Sequence, residues 1–176
     1  MAVRPIQPGE LVELSSRLSR GTGSGRGRPR TIDLRRAVST AYYAVFHKLG
    51  QHAAMRLIGD GWSQQHSSVA RWITHTELAQ LANAANGIGN QALRSALNPV
   101  DPRLADLAQI FLDLQVARHD ADYNDLFDVN REQAVLAADS AKKAVDLANV
   151  LFKEQDASYQ RFLGPAFGGV KVAKTR

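Results

Sequence analysis

Residues 33–49, DLRRAVSTAYYAVFHKL, decide the fold class of this chain. Apolar side chains recur in this stretch at spacings of three and four residues, the pattern of an α-helix with one buried face. At about 100° per residue, one side of that helix is apolar. This packing side comprises Leu34, Val38, Ala41, Tyr42, Val45 and Leu49.

The opposite side of the same helix is polar and has two interpretations. It gathers Arg36, Ser39, Thr40, Tyr43 and His47. One interpretation is a solvated face with a single exposed aromatic ring. The other is a groove or subunit interface, in which Tyr43 supplies area and a hydroxyl group, Arg36 supplies charge, and His47 supplies a titratable nitrogen.

The helical period continues along most of the chain, and no segment alternates apolar and polar residues as a strand would. Helices are predicted over residues 9–19, 31–55, 63–85 (with a break near Thr74), 102–119 and 130–155. Asp101 before Pro102 is a typical helix start, and Asn130 with Gln133 resembles a capping pair. We therefore expect an all-α, up-and-down bundle of about five helices.

The net charge of +5 is concentrated near the start of the chain. Residues 1–36 hold eight basic and three acidic side chains, so the remainder is neutral. Residues 21–30, GTGSGRGRPR, are expected to form a flexible loop. A glycine-rich segment buries too little apolar surface to offset the conformational entropy that it would lose on ordering. Arg26, Arg28 and Arg30 would make this loop a basic arm for phosphates, although a plain solvated linker fits equally well.

Three regions follow from these patterns. Residues 1–30 combine a short helix with the basic loop, residues 31–160 form the helical bundle, and residues 161–176 are expected to be a flexible basic tail. No apolar run is long enough to cross a bilayer, and no signal-peptide pattern precedes the first helix. We therefore expect a cytoplasmic protein without membrane contact. The chain has no cysteine, which excludes thiolate chemistry, and no motif indicates a metal or cofactor.

A second feature lies at the end of the helix that starts at Pro102. Its apolar stripe consists of Leu104, Leu107, Phe111 and Leu114, and Arg118 is the next position on that stripe. A guanidinium group that points inward needs a charged partner, and Asp122 lies one helical turn further along. The sequence RHDADY therefore predicts an Arg118–Asp122 pair beside Tyr123, either as a structural ion pair or as part of a binding site.

Taken together, RRAVSTAYYAVFHKL and ARHDADY resemble the HEPN superfamily, and specifically its small stand-alone bacterial branch. That branch carries a Ser-x-Ala-Tyr-Tyr-Ala-x-Phe helix and a later Arg-x-x-Ala-Asp-Tyr motif. The resemblance implies a bundle of four or five helices that forms a homodimer and binds or cleaves RNA. It also implies a role in toxin–antitoxin or defence systems, frequently with a nucleotidyltransferase partner.

Catalytic HEPN proteins carry a histidine four to six residues after the arginine and cleave RNA without a metal. This chain departs from that pattern, because His119 follows Arg118 directly. We therefore expect a dimer groove that binds RNA or a protein partner. Its residues would be Arg36, Ser39, Tyr43, Asp122 and Tyr123, together with Arg118 and His47. Two alternatives remain: an endoribonuclease that uses Arg118 with His119 or His47, and a purely structural interaction module.

Overall fold

The computed structural model describes residues 4–21, 29–169 and 171. Every regular element within those ranges is helical, so the predicted all-α class is confirmed. The helices are α1 (Pro8–Arg20), α2 (Thr31–Ile58), α3 (Gln64–Ala70), α4 (His75–Ala85), α5 (Gln91–Leu97), α6 (Pro102–Tyr123), α7 (Arg131–Lys153) and α8 (Ala157–Leu163), followed by a 3-10 turn at Gly164–Phe167. In the part of the chain that is described, no helix combines the length and apolarity needed to cross a membrane.

Helix α2 is the centre of the fold, because α1, α6 and α7 all pack against it. Its residues Tyr42, Val45 and Leu49 are completely buried, as the helical pattern predicted. Helix α7 approaches α2 closely through a stripe of small residues that are fully or almost fully buried: Ala134, Ala138, Ala141, Ala144 and Ala148. Small side chains at a helix interface leave room for this close approach.

Side-chain caps fix where several helices begin. The Asp101 carboxylate accepts a hydrogen bond from the Arg103 backbone N–H at 2.7 Å, which starts α6 at Pro102. Asn130 and Gln133 form a reciprocal capping box at the start of α7, with both hydrogen bonds at 2.9 Å. Both starts agree with the positions that the sequence predicted, because the free amides of a first turn need acceptors.

The segment over residues 63–85 forms two helices instead of one. Helix α3 ends at Ala70, and α4 begins after Thr74, whose hydroxyl accepts from the Glu77 backbone N–H at 3.2 Å. The break near Thr74 was expected. A hydroxyl that caps a new helix stabilises this interruption of the backbone hydrogen bonding.

Residues 161–167, which the sequence analysis assigned to the tail, lie in α8 and the 3-10 turn and pack on the bundle. Phe162, Leu163 and Ala166 are buried, because the apolar side chains of RFLGPAF pack on the core while Pro165 lies in a 3-10 turn. Residues 170 and 172–176 of the predicted tail lie outside the described residues. So do Arg26 and Arg28 of the basic arm, whereas Arg30 is described and forms an exposed ion pair with Asp33 at 3.0 Å.

Candidate functional site

The predicted pair at the end of α6 is present. The Nε atom of Arg118 lies 2.7 Å from Oδ2 of Asp122, and the two side chains are 19% and 29% exposed. The Nε–H group does not point along this line as a hydrogen bond requires, so the contact is an ion pair. The other carboxylate oxygen of Asp122 accepts a hydrogen bond from the Ser39 hydroxyl of α2. The pair therefore joins two helices.

Three tyrosine rings surround the guanidinium group of Arg118. Its Nη2 atom donates to the hydroxyl of Tyr43 at 2.9 Å and to that of Tyr123 at 3.4 Å. The guanidinium carbon lies 5.3 Å from the Tyr123 ring centre, 5.5 Å from Tyr43 and 5.9 Å from Tyr42, which are cation–π distances. Burial opposes the charge, but Tyr43 and Asp122 raise the pKa of Arg118 on balance above its ordinary value. Arg118 therefore stays charged.

The two histidines named in the sequence analysis lie beside these tyrosines. The His47 ring stacks near Tyr43 at 6.2 Å between centres, and the exposed His119 ring lies 5.3 Å from that of Tyr123. Neither imidazole forms a hydrogen bond with Arg118 in the described structure. Burial, and to a lesser extent the charge of His75, lowers the pKa of His47. His47 is therefore mainly neutral at neutral pH.

A third histidine, His75, was missed by the sequence analysis. Its Nδ1 atom lies 2.6 Å from the hydroxyl oxygen of Tyr42, and its ring stacks on Phe46 with 4.0 Å between centres. Burial, and then the charge of Arg118, lowers the pKa of His75. No signal in the sequence marks this contact, because His75 begins α4 and reaches α2 only through tertiary packing.

Arg36 does not join the Arg118 cluster, which we define as Ser39, Tyr43, Arg118, Asp122 and Tyr123. Its side chain is exposed and, among the residues described, forms no hydrogen bond or ion pair. The neighbouring Arg35, which the sequence analysis did not single out, points inward instead. It donates to the backbone carbonyls of Ala121 at 2.8 Å, Asn124 at 2.8 Å and Phe127 at 3.0 Å. Arg35 thus fixes the end of α6 and the loop that follows.

An apolar groove lies beside this loop, between α6 and α7. Its volume is about 280 Å³, and its walls include Val38, Ile110, Leu114, Ala117, Phe127, Val129 and Leu136. Leu126, which immediately precedes Phe127 in the fixed loop, is 93% exposed. Leu136 on the groove wall is 65% exposed. Large exposed apolar residues grouped around a groove are typical of protein interaction sites.

Neither a metal site nor a known relative defines the chemistry of this region. Among the residues that the structure describes, no group of three histidine or acidic side chains is placed to hold a metal ion. Comparison with protein-family models, curated proteins and solved structures finds no match to this chain.

Proposed function

We propose that this chain is a HEPN-like helical protein that acts as a protein-binding module, and that its first partner is a second copy of itself. The observation that carries the proposal is Leu126, which is 93% exposed on a loop held in place beside an apolar groove. An exposed leucine adds little stability to the monomer, because its apolar surface stays in contact with water. Burial against a partner would remove its apolar surface from water.

The loop is preorganised for such a contact. Three hydrogen bonds from Arg35 hold the carbonyls of Ala121, Asn124 and Phe127, and the Asn124 side chain accepts from the Leu126 backbone N–H at 3.0 Å. Binding therefore costs less conformational entropy than it would for a mobile loop. The fixed backbone favours Leu126 as a specific contact residue.

A second copy fits this surface because the same face carries both a projection and a recess. In a two-fold symmetric dimer, each subunit uses the same patch, so a contact made by one copy is repeated by the other. Leu126 supplies the projection, and the groove between α6 and α7 supplies the recess. One patch can therefore satisfy both halves of a symmetric interface.

The charges of the Arg118 cluster make it a poor site for phosphate binding. The charge of Arg118 is matched by Asp122, and Asp120, Asp125 and Asp128 add negative charge nearby in the sequence. Residues 118–128 thus carry four aspartates and one arginine, and an excess of carboxylates repels phosphate. RNA binding is instead favoured by a different observation, the +5 charge of residues 1–36, and is the second candidate function.

The dimer is tested by measuring the molar mass of the purified full chain with light scattering during size-exclusion chromatography. We expect a dimer for the unmodified chain and a folded monomer for Leu126→Asp. Leu57→Asp is the matched control, because Leu57 is also exposed, at 57%, but lies near the end of α2. A monomeric unmodified chain, or equal dissociation of both variants, would overturn the proposal.

The RNA-binding and cleavage alternatives need a separate assay. Purified protein is incubated in EDTA with labelled structured and single-stranded RNAs, beside an Arg118→Ala variant. Salt-sensitive gel retardation without cleavage would favour the basic arm as an RNA contact. Cleavage that is lost in Arg118→Ala would favour the endoribonuclease, with His47 or His119 as the proton-transferring group. Absence of both leaves the protein-binding module as the function.

A further inference from the structure

A second cavity, away from the α6–α7 groove, has a cationic and aromatic lining. It has a volume of about 430 Å³ and lies between residues 4–6, α2, α3 and the start of α4. Its polar and aromatic walls include Arg4, Phe46, His47, Trp62, Arg71 and His75. None of the residues that line it is acidic. This size is in the range of small-molecule sites.

The two arginines at this cavity have charges that no described residue neutralises. Arg4 and Arg71 are exposed, and within residues 4–21, 29–169 and 171 neither side chain forms an ion pair or a hydrogen bond. Most arginines elsewhere in the fold are held by partners: Arg35 by three carbonyls, and Arg118 by Asp122. The guanidinium groups of Arg4 and Arg71 are therefore available to an anion.

The two histidines at the cavity also have free hydrogen-bonding capacity. His75 uses Nδ1 for the Tyr42 hydroxyl, and in the described structure its Nε2 atom has no hydrogen-bond partner. His47 has no hydrogen-bond partner among the described residues. Both rings are half-buried and line the same cavity. Their nitrogens supply directional contacts that the arginines alone would not provide.

The aromatic walls are held in place. Phe46 stacks on His75 with 4.0 Å between ring centres, and the indole N–H of Trp62 donates to the Ser67 hydroxyl at 3.0 Å. The Gln51 amide donates to the Ile6 carbonyl, which joins residues 4–6 to α2. Aromatic side chains that are already fixed favour binding of a flat apolar ligand, because these side chains lose little conformational entropy when the ligand binds.

We propose that this cavity binds a small organic anion: a phosphate monoester or a carboxylate joined to a flat aromatic body. Arg71 and Arg4 would bind the charged group, and His75 and His47 would complete its hydrogen bonds. Phe46 and Trp62 would contact the ring. This site is distinct from the proposed dimer surface, which lies around α7 and the Leu126 loop, and it does not depend on dimer formation.

Trp62 provides a direct signal for binding. The chain has two tryptophans, and the other, Trp72, is 62% exposed, so Trp72→Phe leaves Trp62 as the only indole. In that background, fluorescence is followed during titration with phenyl phosphate, benzoate, inorganic phosphate and the neutral analogue benzamide. We expect a saturable change with phenyl phosphate or benzoate, and weaker binding of inorganic phosphate and benzamide.

The charge contribution is tested by Arg71→Gln, with Arg17→Gln as the matched control. Arg17 is also exposed and makes no side-chain ion pair among the described residues, but it lies near the opposite end of α1 from Ile6. Loss of one charge-assisted contact should weaken binding about tenfold in Arg71→Gln. Arg17→Gln should bind as tightly as the parent. Thermal melting checks that both variants fold.

Several results would overturn the assignment. These are the absence of saturable binding by either aromatic anion, equal binding of benzamide, or equal weakening by the two arginine substitutions. Equal affinity for inorganic phosphate and phenyl phosphate would contradict the proposed contact between the aromatic ring of the ligand and the cavity walls. The ratio of the phenyl phosphate and benzoate affinities identifies which anionic group the cavity prefers.

Discussion

Arg118 and Asp122 form an ion pair at the end of α6, with 2.7 Å between Nε and Oδ2, and both partners also bind groups on α2. Asp122 accepts from the Ser39 hydroxyl, and Arg118 donates to the Tyr43 hydroxyl. The pair is therefore a connection between two helices as well as a contact within one. Its removal should affect the packing of α6 on α2.

Asp122→Ala should lower the free energy of unfolding by about 1–3 kcal/mol, because it leaves a partly buried guanidinium group without its counter-charge. The pair is incompletely buried, so the loss should stay below that of a fully buried pair. Urea denaturation measures it. Lys142→Ala is the control, because it breaks another pair of the same spacing, Lys142–Asp146, whose side chains are 67% and 58% exposed. That control should cost at most about 0.5 kcal/mol. An equal decrease in the free energy of unfolding in both variants would contradict a structural role for the Arg118–Asp122 pair.

Arg35→Gln should loosen the loop after α6 while the rest of the bundle stays folded. The substitution removes the guanidinium group that satisfies the carbonyls of Ala121, Asn124 and Phe127. Hydrogen exchange of the amides over residues 124–129 should become faster by at least about tenfold, which corresponds to about 1.4 kcal/mol. Arg36→Gln is the adjacent control, because Arg36 is exposed and has no described partner. Faster exchange in the control as well would assign the effect to charge alone.

His52 should make the protein less stable as the pH falls. It is 5% exposed, its ring stacks on Phe152 at 4.2 Å, and its Nδ1 lies 2.9 Å from the Tyr159 hydroxyl. Burial, with a smaller contribution from Lys48, lowers its pKa to about 3. The unfolded chain therefore binds a proton that the folded chain does not. The stability that this neutral histidine contributes is complete above about pH 6.5 and is lost as the pH falls toward about 3.

The measurement is the free energy of unfolding at several pH values for the unmodified chain and for His52→Gln. Below about pH 6, the free energy of unfolding of the unmodified chain should fall more steeply with decreasing pH than that of His52→Gln. The two slopes should differ by up to about 1.4 kcal/mol per pH unit. His119→Gln is the control, because His119 is exposed. The effect of the buried imidazole is the change in the His52→Gln profile beyond the change seen in this control. Parallel profiles for the unmodified chain and His52→Gln would show that folding does not lower the pKa of His52.

Local sequence patterns could predict the helices and one contact of the site. The helical period of residues 33–49 correctly placed Tyr42 in the core. The apolar stripe from Leu104 to Leu114 continues to Arg118, which predicted its ion pair with the carboxylate one turn further along, Asp122. These contacts depend on positions one or a few turns apart on a single helix. The period of the helix alone fixes such relationships.

Contacts between distant segments could not be predicted in this way. Arg35 and Arg36 are chemically identical neighbours, yet only Arg35 faces the carbonyls at the end of α6. His75 reaches Tyr42 because α4 packs on α6 beside α2, which no spacing in the sequence reveals. The burial of Phe162 and Leu163 was missed for a related reason. Nearby glycine and proline favoured a loop, whereas tertiary packing buries these side chains against the core.

Tyr42→Phe and Tyr43→Phe make the same chemical change in a buried tyrosine beside the Arg118 cluster and in a partly buried tyrosine within it. Tyr42 is fully buried, and its hydroxyl lies 2.6 Å from Nδ1 of the half-buried His75, so its loss leaves that nitrogen facing a buried phenyl ring without a partner. We expect a cost of about 1–2 kcal/mol in urea denaturation. Tyr43 is only partly buried and accepts from Arg118 at 2.9 Å. Water can replace its hydroxyl there, so the cost should stay below about 1 kcal/mol. A larger loss for Tyr43→Phe would instead show that the Arg118–Tyr43 hydrogen bond is the stronger link between α2 and α6.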